Sequence, residues 1–165
     1  MSITIGPSGI TSTGALNLQN NGLSSVTMDT TGRVLKNYKP SFRGYPQGGT
    51  GTGSTWSNFA GGHNTTSSGF NASTGVFTAP KAGVYVFSMW GISNQGNTDC
   101  RYALMKNGDT SAAHGITSPN GGNYSPVNLT IQWYMAVGDT ASCTVYSGGV
   151  AHGGDWNGFS GHYVG

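Results

Sequence analysis

Apolar and polar residues alternate over long stretches of the chain from about residue 40 onward. The longest alternating run predicts a strand with one fully apolar face, formed by Val127, Leu129, Ile131, Trp133, Met135 and Val137. Residues 84–90 are almost all apolar and predict a buried strand. Two further sets each share one inward strand face: Cys100, Tyr102 and Leu104, and Ala141, Cys143 and Val145. No window has the 3.6-residue period of a helix, so we expect an all-β domain.

Turn signals separate these runs at regular intervals. Asn-Gly dipeptides stand at residues 107–108, 120–121 and 157–158, and this dipeptide favours tight turns between strands. Many short strands with a turn every 8–12 residues are typical of a sandwich or a barrel. We therefore predict one β-domain over residues 39–165.

Residues 1–38 contain shorter alternating runs with fewer apolar residues. Short apolar pairs recur with period two, at Ile3, Ile5, Leu16, Leu18, Val26 and Met28. Turn-forming residues separate the pairs, as at residues 6–9 and 20–22. Each strand is too short to bury a core alone, whereas several copies side by side could do so. We predict a short extended β-stem, either intertwined in a trimer or attached to a partner; the alternative is an unstructured tail.

Composition narrows the class of protein. Only 7% of the residues are charged, against about a quarter in an average protein, and there are 29 glycines. Aromatic residues still make up 11%, which is not a disordered composition. No basic run predicts nucleic-acid binding, and no apolar stretch near 18 residues predicts membrane insertion. The start shows no secretory signal, so we expect an exposed protein that leaves the cell by lysis or whose leader was removed.

Residues for catalysis or metal binding do not form a recognisable set. All five acidic residues are aspartates, so the paired carboxylates of a glycosidase are not expected. The four histidines share no metal spacing: His63, His114, His152 and His162. Three aspartates match no calcium-loop pattern: Asp99, Asp109 and Asp155. We predict no enzyme activity and no cofactor or metal.

Residues 69–88 carry a family signature. They resemble the globular head of the complement q-subcomponent, part of the tumour-necrosis-factor superfamily, in which Phe, Thr-Gly, Phe-Thr-x-Pro and Gly-x-Tyr-x-Phe-Ser follow one another. Residues 104–108, 137–139 and 159–161 are similar to later segments of that head, in the same order. The matching positions predicted to form the core are Phe70, Phe77, Pro80, Gly83, Tyr85, Phe87, Phe159 and Gly161.

The resemblance implies a ten-stranded jelly-roll sandwich that forms a homotrimer. It also implies that the strand of Cys100 lies beside the strand of Cys143. Since both side chains are expected to point inward, the resemblance leads us to expect two buried thiols close together. In a reducing cytoplasm they would remain unbonded. A disulfide would need Cα atoms about 4.4–6.8 Å apart.

The segment that precedes the head differs from the segment found at that place in the family's animal members. There is no Gly-X-Y collagen run. Instead residues 27–40 resemble segments that lead into such heads in bacteriophage structural proteins, with Met-Asp-x-x-Gly-Arg-Val and Tyr-x-Pro motifs. This second resemblance implies a phage virion protein, and it predicts that residues 1–38 attach the chain to other virion proteins.

Three functions remain open at this point. The first is a trimeric tail fibre or spike for host attachment, whose head contacts a glycan or protein of the cell surface. Four aromatic residues in predicted loops could stack on sugars there, or could instead seal the core: Trp56, Phe59, Tyr124 and Trp156. The second is a trimeric capsid decoration protein, or head fibre, anchored by the N-terminal segment. The third is a secreted, extracellular ligand like tumour necrosis factor.

Overall fold

The computed structural model describes two groups of residues. In the N-terminal part it describes the strands at 3–6, 9–12, 16–20, 23–28 and 34–35. In the remainder it describes residues 39–48, 51–64, 69–93, 100–117, 125–148 and 154–165. The chain divides into two compact units, Met1–Lys39 and Pro40–Gly165. This division falls one residue after the predicted domain boundary.

The first unit contains five short strands. A hairpin joins β1 (Ile3–Gly6) to β2 (Gly9–Ser12), and a three-stranded antiparallel sheet contains β3 (Leu16–Asn20), β4 (Leu23–Met28) and β5 (Val34–Leu35). The register places Leu16 opposite Met28 and Leu18 opposite Val26. These apolar positions are thus cross-strand partners in the register of β3 and β4. Their role in attachment stays a prediction.

The second unit contains eleven strands among its described residues. They are β6 (Ser41–Gly48), β7 (Ser54–Thr55), β8 (Ser57–Asn64), β9 (Phe70–Asn71), β10 (Val76–Thr78), β11 (Gly83–Ser93), β12 (Cys100–Lys106), β13 (Asp109–Thr117), β14 (Ser125–Met135), β15 (Thr140–Gly148) and β16 (Gly158–Tyr163). Sheet I has the order β14-β11-β16-β6-β8, and sheet II has the order β13-β12-β15-β10-β9. The short β7 runs beside β15, where the Gly53 amide donates to the Val145 carbonyl at 2.7 Å.

The connections between strands give a jelly roll. From β10 to β16 the chain changes sheet after every strand except β12, which forms a hairpin with β13. All pairings inside the two sheets are antiparallel. The predicted ten-stranded all-β sandwich is confirmed, with the two-residue β7 in addition.

The core lies between the two sheets and is rich in aromatic rings. Alternation along β11 buries Tyr85, Phe87 and Met89 completely, because successive side chains of a strand point to opposite faces. Phe42 stacks on Phe70 at a centroid distance of 4.1 Å. A Cβ at Gly161 would lie 2.6 Å from the Phe42 ring, so glycine there lets the ring approach the backbone. Most residues predicted to form the core are buried, and Pro80 is half-buried.

One prediction for β14 is wrong at its end. Val127 and Met135 are buried, but Val137 is 69% exposed. The strand ends at Met135, and the following residues turn towards β15. An alternating pattern alone does not reveal that the last apolar residue already lies in the turn.

The prediction for the two cysteines is half right. Cys100 and Cys143 are fully buried thiols on neighbouring strands, and burial raises the pKa of Cys143 well above its ordinary value. However, Cys143 pairs with Leu104, whereas Cys100 pairs with Gly148. Four residues along a strand span about 13 Å. The expectation that the thiols lie close together is therefore wrong, because the register offsets them beyond disulfide range.

Candidate binding surfaces

Two of the four aromatic residues predicted for the surface belong to the core. Trp56 is fully buried, its ring packs edge-on against Tyr102 at 6.2 Å, and its amide donates to the Cys143 carbonyl at 2.9 Å. Phe59 is half-buried and packs edge-on against Phe70 at 5.2 Å. The prediction of a surface role for Trp56 is therefore wrong, since a backbone bond to β15 holds it inside. Tyr124 lies outside the described residues.

Trp156 does lie on the surface. It is 60% exposed and ends a single 3-10 turn, Gly154–Trp156. The next residue, Asn157, is fully buried, and its Oδ1 accepts a hydrogen bond from the Ile92 amide at 3.1 Å. Asn157 therefore anchors the turn to the end of β11 and fixes the position from which the indole projects.

The turn with Trp156 lies at one end of the sandwich. This end also holds the last residue of β11 and the first residue of β14, because Ser93 pairs with Ser125. The connections over residues 94–99, 118–124 and 149–153 start or finish here. At the opposite end, β6 begins, and the Tyr163 amide donates to the Pro40 carbonyl at 2.9 Å. The first strand of the second unit thus begins at the end opposite Trp156.

The outward face of sheet I carries an apolar patch near that opposite end. We call Val84, Val86, Tyr134 and Val164 the outer patch. Val84 pairs with Tyr134, and the Val164 amide donates to the Val84 carbonyl at 2.8 Å. Tyr134 is 64% exposed and Val164 is 48% exposed. The sequence patterns above did not predict this patch, although Tyr134 on the otherwise polar face of β14 indicates it.

The charged residues of this end fix turns. Asp139 accepts hydrogen bonds from the Ala136 amide at 2.9 Å and from Asn107 Nδ2 at 3.0 Å, and Lys106 Nζ lies 3.3 Å away. These bonds favour the ionised carboxylate and lower the pKa of Asp139 below its ordinary value. Likewise, the Ser111 hydroxyl and amide lower the pKa of Asp109. Both carboxylates therefore already accept hydrogen bonds from neighbouring residues of the turns.

The described residues offer no obvious centre for chemistry. No group of three or more His, Cys, Asp or Glu side chains within them could hold a metal ion. His63 lies beside the Ser41 hydroxyl at 3.3 Å, and His114 stacks on Tyr146 at 4.9 Å. His152 and Asp99 lie outside the described part. No helix found among the described residues has the length and apolar character needed to span a membrane.

Comparison with known proteins gives the fold. No protein-family model matches the sequence, and no curated protein matches it significantly. Among solved structures, the globular domain of zebrafish complement 1qA protein is similar, with a TM-score of 0.56 at 14% identity. The match covers 76% of this chain and 96% of that chain. The resemblance to the complement head is therefore confirmed at the level of the fold: the chain carries a jelly-roll sandwich of that type.

Proposed function

We propose that this protein is a non-enzymatic homotrimeric head protein, displayed on the surface of a bacteriophage particle. The resemblance of residues 27–40 to phage lead-in segments supports the phage location, and one structural observation supports the role as a displayed head. The complement-type sandwich presents an exposed Trp156 at one end, and its first strand begins at the other end. A chain built in this way can be held by its N-terminal segment while the far end meets another surface.

The outer patch supports the trimer. An exposed group of apolar side chains on a flat sheet face is a usual sign of a protein contact. A second and third copy would cover Tyr134 and Val164, and the resemblance to the complement head implies a homotrimer. Light scattering on the purified protein should give the mass of three chains of 17.0 kDa each.

A matched pair of variants tests the contact. Tyr134→Lys places a charge in the outer patch and should yield monomers. Thr78→Lys places the same charge on an exposed position of sheet II and should leave the trimer intact. A wild-type monomer at micromolar concentration would end the trimer proposal. An intact trimer in Tyr134→Lys would move the contact to another face.

The N-terminal segment is proposed to join the head to the virion. The cross-strand apolar pairs in its small sheet suit a structure completed by further copies or by a partner. Deleting residues 1–38 should leave a folded, trimeric head that no longer binds particles. A truncated head that still assembles onto particles would contradict this assignment.

Two positions on the particle fit this arrangement. At the tail, the head would act in host attachment as a fibre or spike; on the capsid, it would be a decoration protein or head fibre. The exposed Trp156 favours the tail. Antibody labelling of particles in electron micrographs distinguishes them. Absence from particles, with the protein in the medium of intact cells, would favour a secreted ligand instead.

A further inference from the structure

Three polar side chains are buried in the core near the end that carries Trp156, and each has one atom that lacks a protein partner. These atoms are the indole Nε1 of Trp56, the hydroxyl of Tyr102 and the amide Nδ2 of Asn157. All three side chains are fully buried. None of the three atoms bonds to a nitrogen or oxygen of the described residues. Buried polar atoms are nearly always paired, because burial removes the hydrogen bonds that water would make.

Ring packing and a glycine place the three side chains in one neighbourhood. The ring of Trp56 packs edge-on against Tyr102 at a centroid distance of 6.2 Å. On β11, a Cβ at Gly91 would lie 2.5 Å from Asn157 Oδ1 and 3.4 Å from Trp56 Cη2. Trp56 and Asn157 therefore meet beside the bare backbone of Gly91, and Tyr102 lies against the same indole.

Two of the three atoms can only donate a hydrogen bond. Asn157 Oδ1 accepts from the Ile92 amide at 3.1 Å, which identifies Nδ2 as the unpaired end of that side chain. An amide nitrogen and an indole nitrogen are donors without acceptor capacity. This part of the core therefore needs an acceptor that the described residues do not supply.

The Tyr102 hydroxyl is a third donor. Burial raises the pKa of Tyr102 well above its ordinary value, and the nearby Cys100 thiol adds to the rise. The hydroxyl therefore keeps its proton. The Cys100 sulfur is only a weak acceptor, so it is a poor substitute for an oxygen.

We propose that internal water binds here and accepts hydrogen bonds from Asn157 Nδ2, Trp56 Nε1 and the Tyr102 hydroxyl. Globular proteins contain about one buried water per 27 residues, each typically with about three hydrogen bonds to otherwise unpaired groups. An anion also accepts from several donors, but a buried ion needs a counter-charge, and none of the buried residues described is a lysine or arginine.

The water would extend the anchor of the Trp156 turn. Asn157 already joins that turn to β11 through the Ile92 amide. Through water it would also be joined to Trp56 and to Tyr102 on β12. The proposal depends neither on the trimer nor on a virion location.

The direct test is a high-resolution crystal structure of the full-length protein. Density for an oxygen should lie about 2.7–3.2 Å from Asn157 Nδ2 and within the same range of Trp56 Nε1 or the Tyr102 hydroxyl. Crystals grown in bromide should show no anomalous peak at this place. An anomalous peak would identify an anion instead of water, and the lack of any density beside the three donors would overturn the site.

A pair of tyrosine variants tests the hydrogen bond through stability. Tyr102→Phe removes the hydroxyl with little change in shape. If water accepts its bond, the ratio of folded to unfolded protein in urea titrations should fall about fivefold. Tyr85→Phe is the control, because the Tyr85 hydroxyl donates to the Lys81 carbonyl at 2.9 Å, and it should cause a similar fall. A more stable Tyr102→Phe would show that the hydroxyl is unpaired and would contradict the proposal.

Cys100→Ala separates the water from the thiol. With water as the partner, Tyr102→Phe should cause the same fall in the Cys100→Ala background as in the wild type. A fall that disappears in that background would make the thiol the partner of Tyr102 and would contradict its place in the water site.

Discussion

The two ends of the sandwich differ in how their strands are connected. At the end where β6 begins, which we call the turn end, two residues join β12 to β13 and four join β14 to β15. At the end with Trp156, the loop end, six residues join β11 to β12 and seven join β13 to β14. Residues that bind other molecules are often found on the connections between strands.

Different interactions hold the two ends. At the turn end, Asp139 binds the Ala136 amide and Asn107, and Asn107 Oδ1 accepts from the Thr140 amide at 2.7 Å. The Ala136 bond is local, and the two Asn107 bonds join the turn after β12 to the turn before β15; asparagine and aspartate are residues typical of turns. At the loop end, the buried Asn157 reaches the Ile92 amide, 65 residues away in sequence. The turn end is thus held by bonds within and between its two tight turns, whereas the loop end depends on a buried side chain that bonds a strand end.

The largest expected effect concerns the core that both ends share. Five aromatic rings lie within 6.5 Å of the Phe87 ring: Phe42, Phe77, Tyr85, Trp133 and Phe159. Phe87→Ala should lower the free energy of unfolding by about 3–5 kcal/mol. Urea unfolding monitored by tryptophan fluorescence measures this loss.

Ser88→Ala is the matched control for Phe87→Ala. Its hydroxyl contacts the Thr130 hydroxyl at 2.8 Å on the outward face, and its loss should cost about 1 kcal/mol or less. If the two variants cost the same, the burial that we assign to alternate residues of β11 would be wrong.

Two glycines compare a contact between distant segments with a tight turn at the turn end. Gly75 has a φ of +70°, and a Cβ there would lie 1.8 Å from the Trp56 carbonyl oxygen. Gly108, in the tight turn of the turn end, has a φ of +79° and nothing within 4 Å of its Cβ position. Gly108→Ala should cost about 1–2 kcal/mol for the backbone conformation alone. Gly75→Ala should cost clearly more, because the neighbouring segment must also move.

Thermal or urea denaturation of both glycine variants measures the two losses in free energy of unfolding. An equal cost would mean that the segment of Trp56 adjusts freely. In that case the contact between Gly75 and the segment of Trp56 would be less tightly held than we infer.

The pH dependence of unfolding in an Asp139 variant tests the interactions that hold the turn end. Its pKa is lowered in the folded protein by hydrogen bonds from the Ala136 amide and Asn107, and by Lys106. Its contribution to stability is therefore complete above the ordinary value of 3.8 and is lost as the pH falls through the lowered, folded-state pKa. Asp139→Asn should be less stable than the wild type at pH 7, and the gap should close in strongly acidic solution.

Urea midpoints at both pH values measure that gap. Asp155→Asn, at an exposed aspartate of the loop end, is the control variant and should unfold close to the wild-type urea midpoint at pH 7. A gap for Asp139→Asn that persists unchanged in acid would mean that shape, rather than charge, explains the role of Asp139.

The sequence predicted the features that local pattern controls. The inward faces of β11, β12 and β15 follow from alternation, because every second side chain of a strand points to the same side. The turn at residues 107–108 follows from its Asn-Gly pair, with φ of +53° and +79°. The order of the family motifs added the jelly-roll connection of these strands.

The errors concern features that depend on distant segments. The separation of Cys100 and Cys143 depends on the register of β12 and β15, which shifts between Arg101 and Tyr102. No local pattern contains that register. Trp56 stands alone among serines and threonines, so its sequence context indicates a loop. Its burial comes from the bond to Cys143, 87 positions further along the chain.

Substitution of Trp156 should cause the smallest change in stability and the clearest change in binding. Because its side chain is 60% exposed, Trp156→Ala should change the free energy of unfolding by less than about 0.5 kcal/mol. An aromatic contact contributes about 1 kcal/mol, or roughly fivefold in affinity, and three linked copies would multiply this to about a hundredfold. Under the proposed function, particles or trimers that carry the variant should therefore adsorb to host cells far more weakly. Trp156→Tyr, which keeps an aromatic face, should recover most of the adsorption. Normal adsorption by Trp156→Ala would show that the loop end acts through other residues or that another face makes the contact, and reduced stability would show that the indole also supports the turn.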